Sequence, residues 1–146
     1  VDIDAVIHAF LPNPLVLIAP VGHALAGRTH VMLADLHAER FVLREKGSGT
    51  RLTTDAHFAK HHFVPRLRLE MGSNEALKQA VAGGLGLSVV SQHALGPDLA
   101  GQGLTVLGVE GFPVESNWYT VHLRGKRLSP LATAFMQYLD HFAAKA

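Results

Sequence analysis

The sequence predicts an open α/β sheet built from successive strand–helix–strand units, and three observations carry that expectation. From Phe41 to Ser91, apolar runs of strand length alternate with segments of helical periodicity. Two of those strands lead straight into helix starts marked by glycine and a hydroxyl or amide cap, at Gly47-Ser48-Gly49-Thr50 and Gly72-Ser73-Asn74. Leu85 to Ser91 is an almost unbroken apolar run, the pattern of a strand covered on both faces in a parallel sheet. Connections of this kind set their strands parallel.

The elements follow in order. Ile3 to Phe10 alternates weakly and reads as a first strand. Leu15 to Ala19 is a compact apolar run between Pro14 and Pro20, suited to a short buried strand. Gly22 to Arg28 is a turn-rich link, and Leu33 to Ala38 suits one helical turn capped near Ala34-Asp35. Phe41 to Leu43 is the next strand, and the glycine loop follows it. Arg51 to Phe63 reads as a helix with Leu52, Ala56, Ala59 and Phe63 on its apolar face, ended by Pro65. Leu67, Leu69 and Met71 alternate with Arg68 and Glu70, as in a half-buried strand. Ser73 or Asn74 caps a helix that buries Leu77, Ala80 and Val81 and stops at Gly83-Gly84. A Gly- and Pro-rich connector from Gly96 to Pro113 holds a short strand at Leu104 to Leu107, and Trp118 to Leu123 is a strong strand. Ser129-Pro130 opens an amphipathic helix with Leu131, Phe135, Leu139 and Phe142 on one face.

Composition narrows the class. A chain of 146 residues, 48% of them hydrophobic, is long enough to bury a real core. Its formal net charge of +1 lacks the basic excess of a nucleic-acid binder, and it holds no basic helix-turn-helix, so by itself it is not expected to bind DNA. With no cysteine, disulfides and thiolate chemistry are excluded. No apolar run reaches the roughly 18 residues that a membrane span needs. Phe10 to Val21 is broken by Pro12, Pro14 and Pro20, unlike a signal peptide, so the expected home is cytoplasmic.

Chemistry-bearing residues gather at the two helix starts. A strand passing through glycines into a helix leaves backbone N–H groups unpaired at the positive end of the helix dipole. Ser48 and Thr50 add hydroxyls, Lys46 and Arg51 add charge, and Ser73 and Asn74 repeat the pattern one strand later. If the two strands are neighbours, both sets of donors face one crevice suited to a carboxylate or phosphate. Glycine loops and polar caps also occur without any ligand, so the residues alone leave both readings open. The loop lacks the spacing of a nucleotide P-loop, and Gly83-Gly84-Leu85-Gly86 ends a helix where a dinucleotide fingerprint would start one. Among ten histidines, His57 and His61 stand four apart on a helix, a candidate metal pair that no His-Glu-x-x-His pattern completes. Ser91-Gln92-His93 has no hydrolase elbow around it, and no carboxylate pair among Asp55, Glu70 and Glu75 is placed for acid–base work. No catalytic set and no cofactor are expected.

Taken together, Arg44-Glu-Lys-Gly-Ser-Gly-Thr-Arg51 and Gly72-Ser-Asn-Glu-Ala-Leu-Lys-Gln-Ala-Val-Ala-Gly-Gly-Leu-Gly-Leu-Ser88 resemble the effector-binding domain of LysR-type transcriptional regulators. Leu15-Val-Leu-Ile-Ala-Pro-Val-Gly-His-Ala-Leu-Ala26 and Ala34-Asp-Leu36 extend the resemblance over essentially the whole chain, and the wording is most similar to regulators of carbon-fixation (RuBisCO) operons. Ala24 departs from the proline usual after this histidine. The resemblance implies a periplasmic-binding-protein-like (type 2) fold of two Rossmann-like lobes, with a small anionic metabolite in the cleft between them. It implies that Ser48, Gly49, Thr50 and Arg51, with Ser73 and Asn74, contact that effector. Residues 1–30 and 119–146 would form part of the first lobe, and residues 31–118 the second, with crossings near Gly22–Leu36 and Asn117–Leu123.

The chain begins at Val1, inside what reads as a strand, and is therefore expected to be the C-terminal part of a regulator. DNA would be bound only through a helix-turn-helix that this chain lacks. The strands at Ile3–Phe10 and Leu15–Ala19 would then expose apolar edges and favour a homo-oligomer. Two other classes stay in view: a solute-binding module of a transport system, which shares the fold, and a metal-assisted enzyme using His57 and His61.

Overall fold

The computed structural model describes residues 5–123, and the expected helix over Leu131 to Phe142 lies outside them. The chain divides into two units, Val1–Asn13 with Glu115–Ala146, and Pro14–Val114. In the first, β1 (Ala5–Pro12) pairs antiparallel with β7 (Asn117–Leu123), Ile7 opposite Val121, with a register slip between Ala9 and Leu11.

The second unit is a mixed sheet covered on both faces. Its strands are β2 (Leu15–Pro20), β3 (Arg40–Arg44), β4 (Arg66–Met71), β5 (Ser88–Ser91) and β6 (Leu104–Leu107). β3 and β4 are parallel neighbours, as the strand–helix–strand reading requires. The Val42 and Leu87 amides donate to Leu87 O and Arg40 O, which joins β3 in parallel to the start of β5. Gly86 permits that approach, since a Cβ there would lie 2.8 Å from Arg40 O. β2 lies between β5 and β6 and runs antiparallel to both.

Strand alternation splits the core into two layers. On one face Leu15, Leu17, Ala19, Phe41, Leu43 and Val89 pack with Phe58 of α1 (Gly49–Lys60). On the other, Val16, Ile18, Val42 and Val90 pack with Leu77, Ala80 and Val81 of α2 (Asn74–Ala82), the helix face expected.

Two expectations are corrected. β2 is paired on both sides within the larger unit, so the run Leu15–Ala19 offers no free apolar edge; Leu15, Leu17, Ile18 and Ala19 have no exposed surface. The second concerns α1, which buries Arg51, Thr54 and Phe58 while Leu52 is 62% exposed and Ala56 and Ala59 face solvent. Polar residues hold the inner face because their hydrogen bonds are met within the fold: Thr54 Oγ1 donates to Thr50 O at 2.7 Å. The helix stops at Lys60, before Pro65 can act, where His62 takes a left-handed φ of 54° and Phe63 turns back onto Phe58. The predicted turn at Leu33 forms as a 3-10 turn over Leu33–Leu36, its start held by Asp35 Oδ2 accepting from the Met32 amide at 2.9 Å.

Candidate functional site

Parallel pairing of β3 with β4 brings the loops at their carboxyl ends to one edge of the sheet, the place where α/β folds bind ligands. Each loop enters a helix through a serine N-cap in extended backbone. Ser48 Oγ accepts from the Arg51 amide at 3.0 Å, and Ser73 Oγ accepts from the Ala76 amide at 3.1 Å. The amides of Gly49 and Thr50 in α1, and of Asn74 and Glu75 in α2, stand in first turns and have no acceptor within their own helices. Ser48, Thr50 and Asn74 are half-buried, and Gly49 and Ser73 are exposed. Gly47 (φ +99°) turns the chain in the left-handed conformation that a side chain would resist.

The two loops are tied together. The Glu45 amide donates to Met71 O at 3.1 Å, and Arg44 Nη1 donates to Asn74 Oδ1 at 2.9 Å. All six expected contact residues therefore lie on the two helix starts that this pairing brings together. Arg51, however, points into the fold. Its side chain is 7% exposed, with Nη1 on Glu70 Oε2 at 2.6 Å and on Arg44 O at 2.8 Å, and Nε on Asp55 at 3.0 Å. Burial acts to lower its pKa, but the hydrogen bonds and charges of Glu70 and Asp55 outweigh burial and raise it. Arg51 thus braces the loop from beneath with its charge already matched. The tie from Arg44 to Asn74 was not legible in the sequence; its signal was only that both end parallel strands.

The rings of His57 and His61 lie with centroids 4.5 Å apart at a tilt of 57°, and His57 meets Phe112 edge-on at 5.0 Å. Among the described residues no group of three or more His, Asp or Glu is placed to hold a metal. Burial, then the charges of His61 and Lys60, lower the His57 pKa below 6.5. A histidine whose pKa is lower in the folded state takes up its proton more readily when unfolded. Stability linked to His57 is therefore complete above pH 6.5 and falls as pH drops below it. Urea unfolding from pH 7.5 to 5 is expected to show this loss, and His57→Phe to reduce its slope; an unaltered slope would refute the assignment.

Among the described residues no helix is long and apolar enough to cross a membrane. A mixed sheet sandwiched by helices, with two capped helix starts on one carboxyl edge, superposes on LysR-family regulatory domains and so has the periplasmic-binding-protein-like (type 2) fold. Residues 2–144 match the model of the LysR substrate binding domain, and the chain belongs to that family. It is 48% identical over 145 residues to a RuBisCO operon transcriptional regulator of Allochromatium vinosum, and 46% identical over 143 residues to one of Acidithiobacillus ferrooxidans. Those matches take in 99% and 98% of this chain but 47% and 46% of the relatives, so the chain spans about half their length. The CcmR regulatory domain of Synechocystis, solved in complex with 2-PG, superposes with a TM-score of 0.84 at 46% identity, covering 97% of this chain and 68% of that one. The close kinship to carbon-fixation regulators that the two signatures implied is borne out.

Proposed function

We propose that this chain is the effector-sensing part of a cytoplasmic LysR-type regulator, and that the carboxyl edge of β3 and β4 holds a small anionic metabolite. The observation that carries the reading is the meeting of two serine-capped helix starts on one edge, linked through Arg44 and Asn74. Ser48 and Thr50 hydroxyls and the Gly49 and Thr50 amides face the anion from α1, and Ser73 and Asn74 face it from α2. Arg51 serves the same surface by holding the α1 loop in place. The 2-PG held by the CcmR domain is an anion of the expected kind. DNA is reached through a helix-turn-helix elsewhere in the regulator, which works as a homo-oligomer. Effector binding shifts the balance between packing states of that oligomer, and so transcription.

In the full-length gene product, replacing Ser48 and Thr50 together by alanine removes two donors to a charged ligand. Each is worth about 1.5–3 kcal/mol, so the affinity for 2-PG is expected to fall about a hundredfold or more. Calorimetric titration measures it, with DNA affinity in the absence of ligand as the control. A double variant that titrates like the parent would sink the proposal.

A further inference from the structure

We propose that Arg44 is a positioning residue that fixes the Asn74 amide as a donor, and so suits Asn74 to ligand oxygens that carry no proton. The inference rests on the reading of the edge as the effector site. A guanidinium has only donors. The Asn74 atom 2.9 Å from Arg44 Nη1 is therefore the carbonyl oxygen, and a flipped amide would set N–H against N–H. Held this way, Asn74 keeps Nδ2 as the free end of its amide, at the first turn of α2.

The surrounding groups act in the same sense. Ser48 Oγ already accepts from the Arg51 amide, so its remaining capacity toward a ligand includes its proton. The carboxylates nearby are each drawn to a cation of the protein: Glu45 Oε1 lies on Arg44 at 2.8 Å, Asp55 and Glu70 on Arg51 at 3.0 and 2.6 Å, and Glu75 on Lys78 at 2.8 Å. At Asn74 itself a ligand O–H meets a donor. Asn74 held this way favours a ligand oxygen that has lost its proton, because a protonated oxygen would leave its own O–H unpaired there.

In mildly alkaline buffer sulfate and inorganic phosphate both carry two negative charges but only phosphate keeps a proton, so the pair separates charge from proton recognition. Full-length protein is titrated calorimetrically with both ions and with 2-PG, as wild type, Arg44→Gln, Arg44→Lys and Asn74→Asp. Wild type is expected to prefer sulfate. Arg44→Gln frees the amide to turn and lowers the sulfate-to-phosphate ratio about tenfold, the worth of one hydrogen bond. Arg44→Lys, still a pure donor, keeps the ratio, and Asn74→Asp shifts it toward phosphate by adding an acceptor. Equal weakening of both ions in Arg44→Gln would reveal loss of charge alone and overturn the inference, as would an unchanged ratio. Wild type binding none of the three anions would instead overturn the site reading on which the inference depends. A ligand-free check is the Asn74 side-chain NMR signal, expected as one set in wild type and two in Arg44→Gln; two sets in wild type would also refute it.

Discussion

Replacing Phe58 by alanine is expected to lower the unfolding free energy by about 3–5 kcal/mol. Phe58 is 2% exposed and meets two other rings edge to face, Phe41 of β3 at a centroid distance of 5.8 Å and Phe63, just after α1, at 5.0 Å. Phe41 and Phe63 complete the triangle at 5.8 Å. Truncation removes the ring from both contacts, and the sheet beneath cannot close over the space without shifting β3. Domains of this size hold only about 5–15 kcal/mol in total, so the variant would lose a large share of its stability. Urea unfolding of wild type, Phe58→Leu and Phe58→Ala measures it. Phe58→Leu keeps most of the apolar volume and should lose clearly less; equal losses would mean that ring geometry, and not volume, sets the cost.

Arg51→Ala is expected to cost about 2–4 kcal/mol, through a different mechanism. The substitution leaves Arg44 O, Glu70 and Asp55 without their common donor. The two carboxylates are 39% and 48% exposed, so water recovers part of their solvation, which places the cost below that of a fully enclosed pair. Arg51→Lys keeps the charge but cannot serve three acceptors in one plane, and should fall between wild type and alanine. Unfolding midpoints of the three proteins decide the order. Because Arg51 also holds the loop that presents Ser48, the alanine variant should bind 2-PG more weakly even under conditions where it is fully folded.

What was legible in the sequence was local. The serine caps at Ser48 and Ser73 announce themselves within four residues, since the cap and the amide it satisfies are neighbours in the chain. The parallel pairing of β3 with β4 follows from the helix between them. The inner face of α1 is not the one that apolar periodicity marks. Arg51 and Thr54 are polar by composition, yet become interior residues once Glu70, Asp55 and Thr50 O satisfy them. Leu52 and the two alanines made the more apolar stripe, and no stripe records which partner the folded sheet will offer. The place of β2 was illegible for a plainer reason: its partners, β5 and β6, stand at the far side of the unit in sequence.

That placement sets a timetable for folding. Within the unit residues 15–20 are the first strand to be made, but the strands that flank them, residues 88–91 and 104–107, come last. Until then the most apolar strand of the sheet has no hydrogen-bonding partner on either side, and its closure spans most of the unit, a contact of the slow, long-range kind. β3, α1 and β4 can assemble locally in the meantime, because their contacts are close in sequence. The late arrival of β6 completes the sheet, and until then the unit carries an unpaired strand in need of shelter.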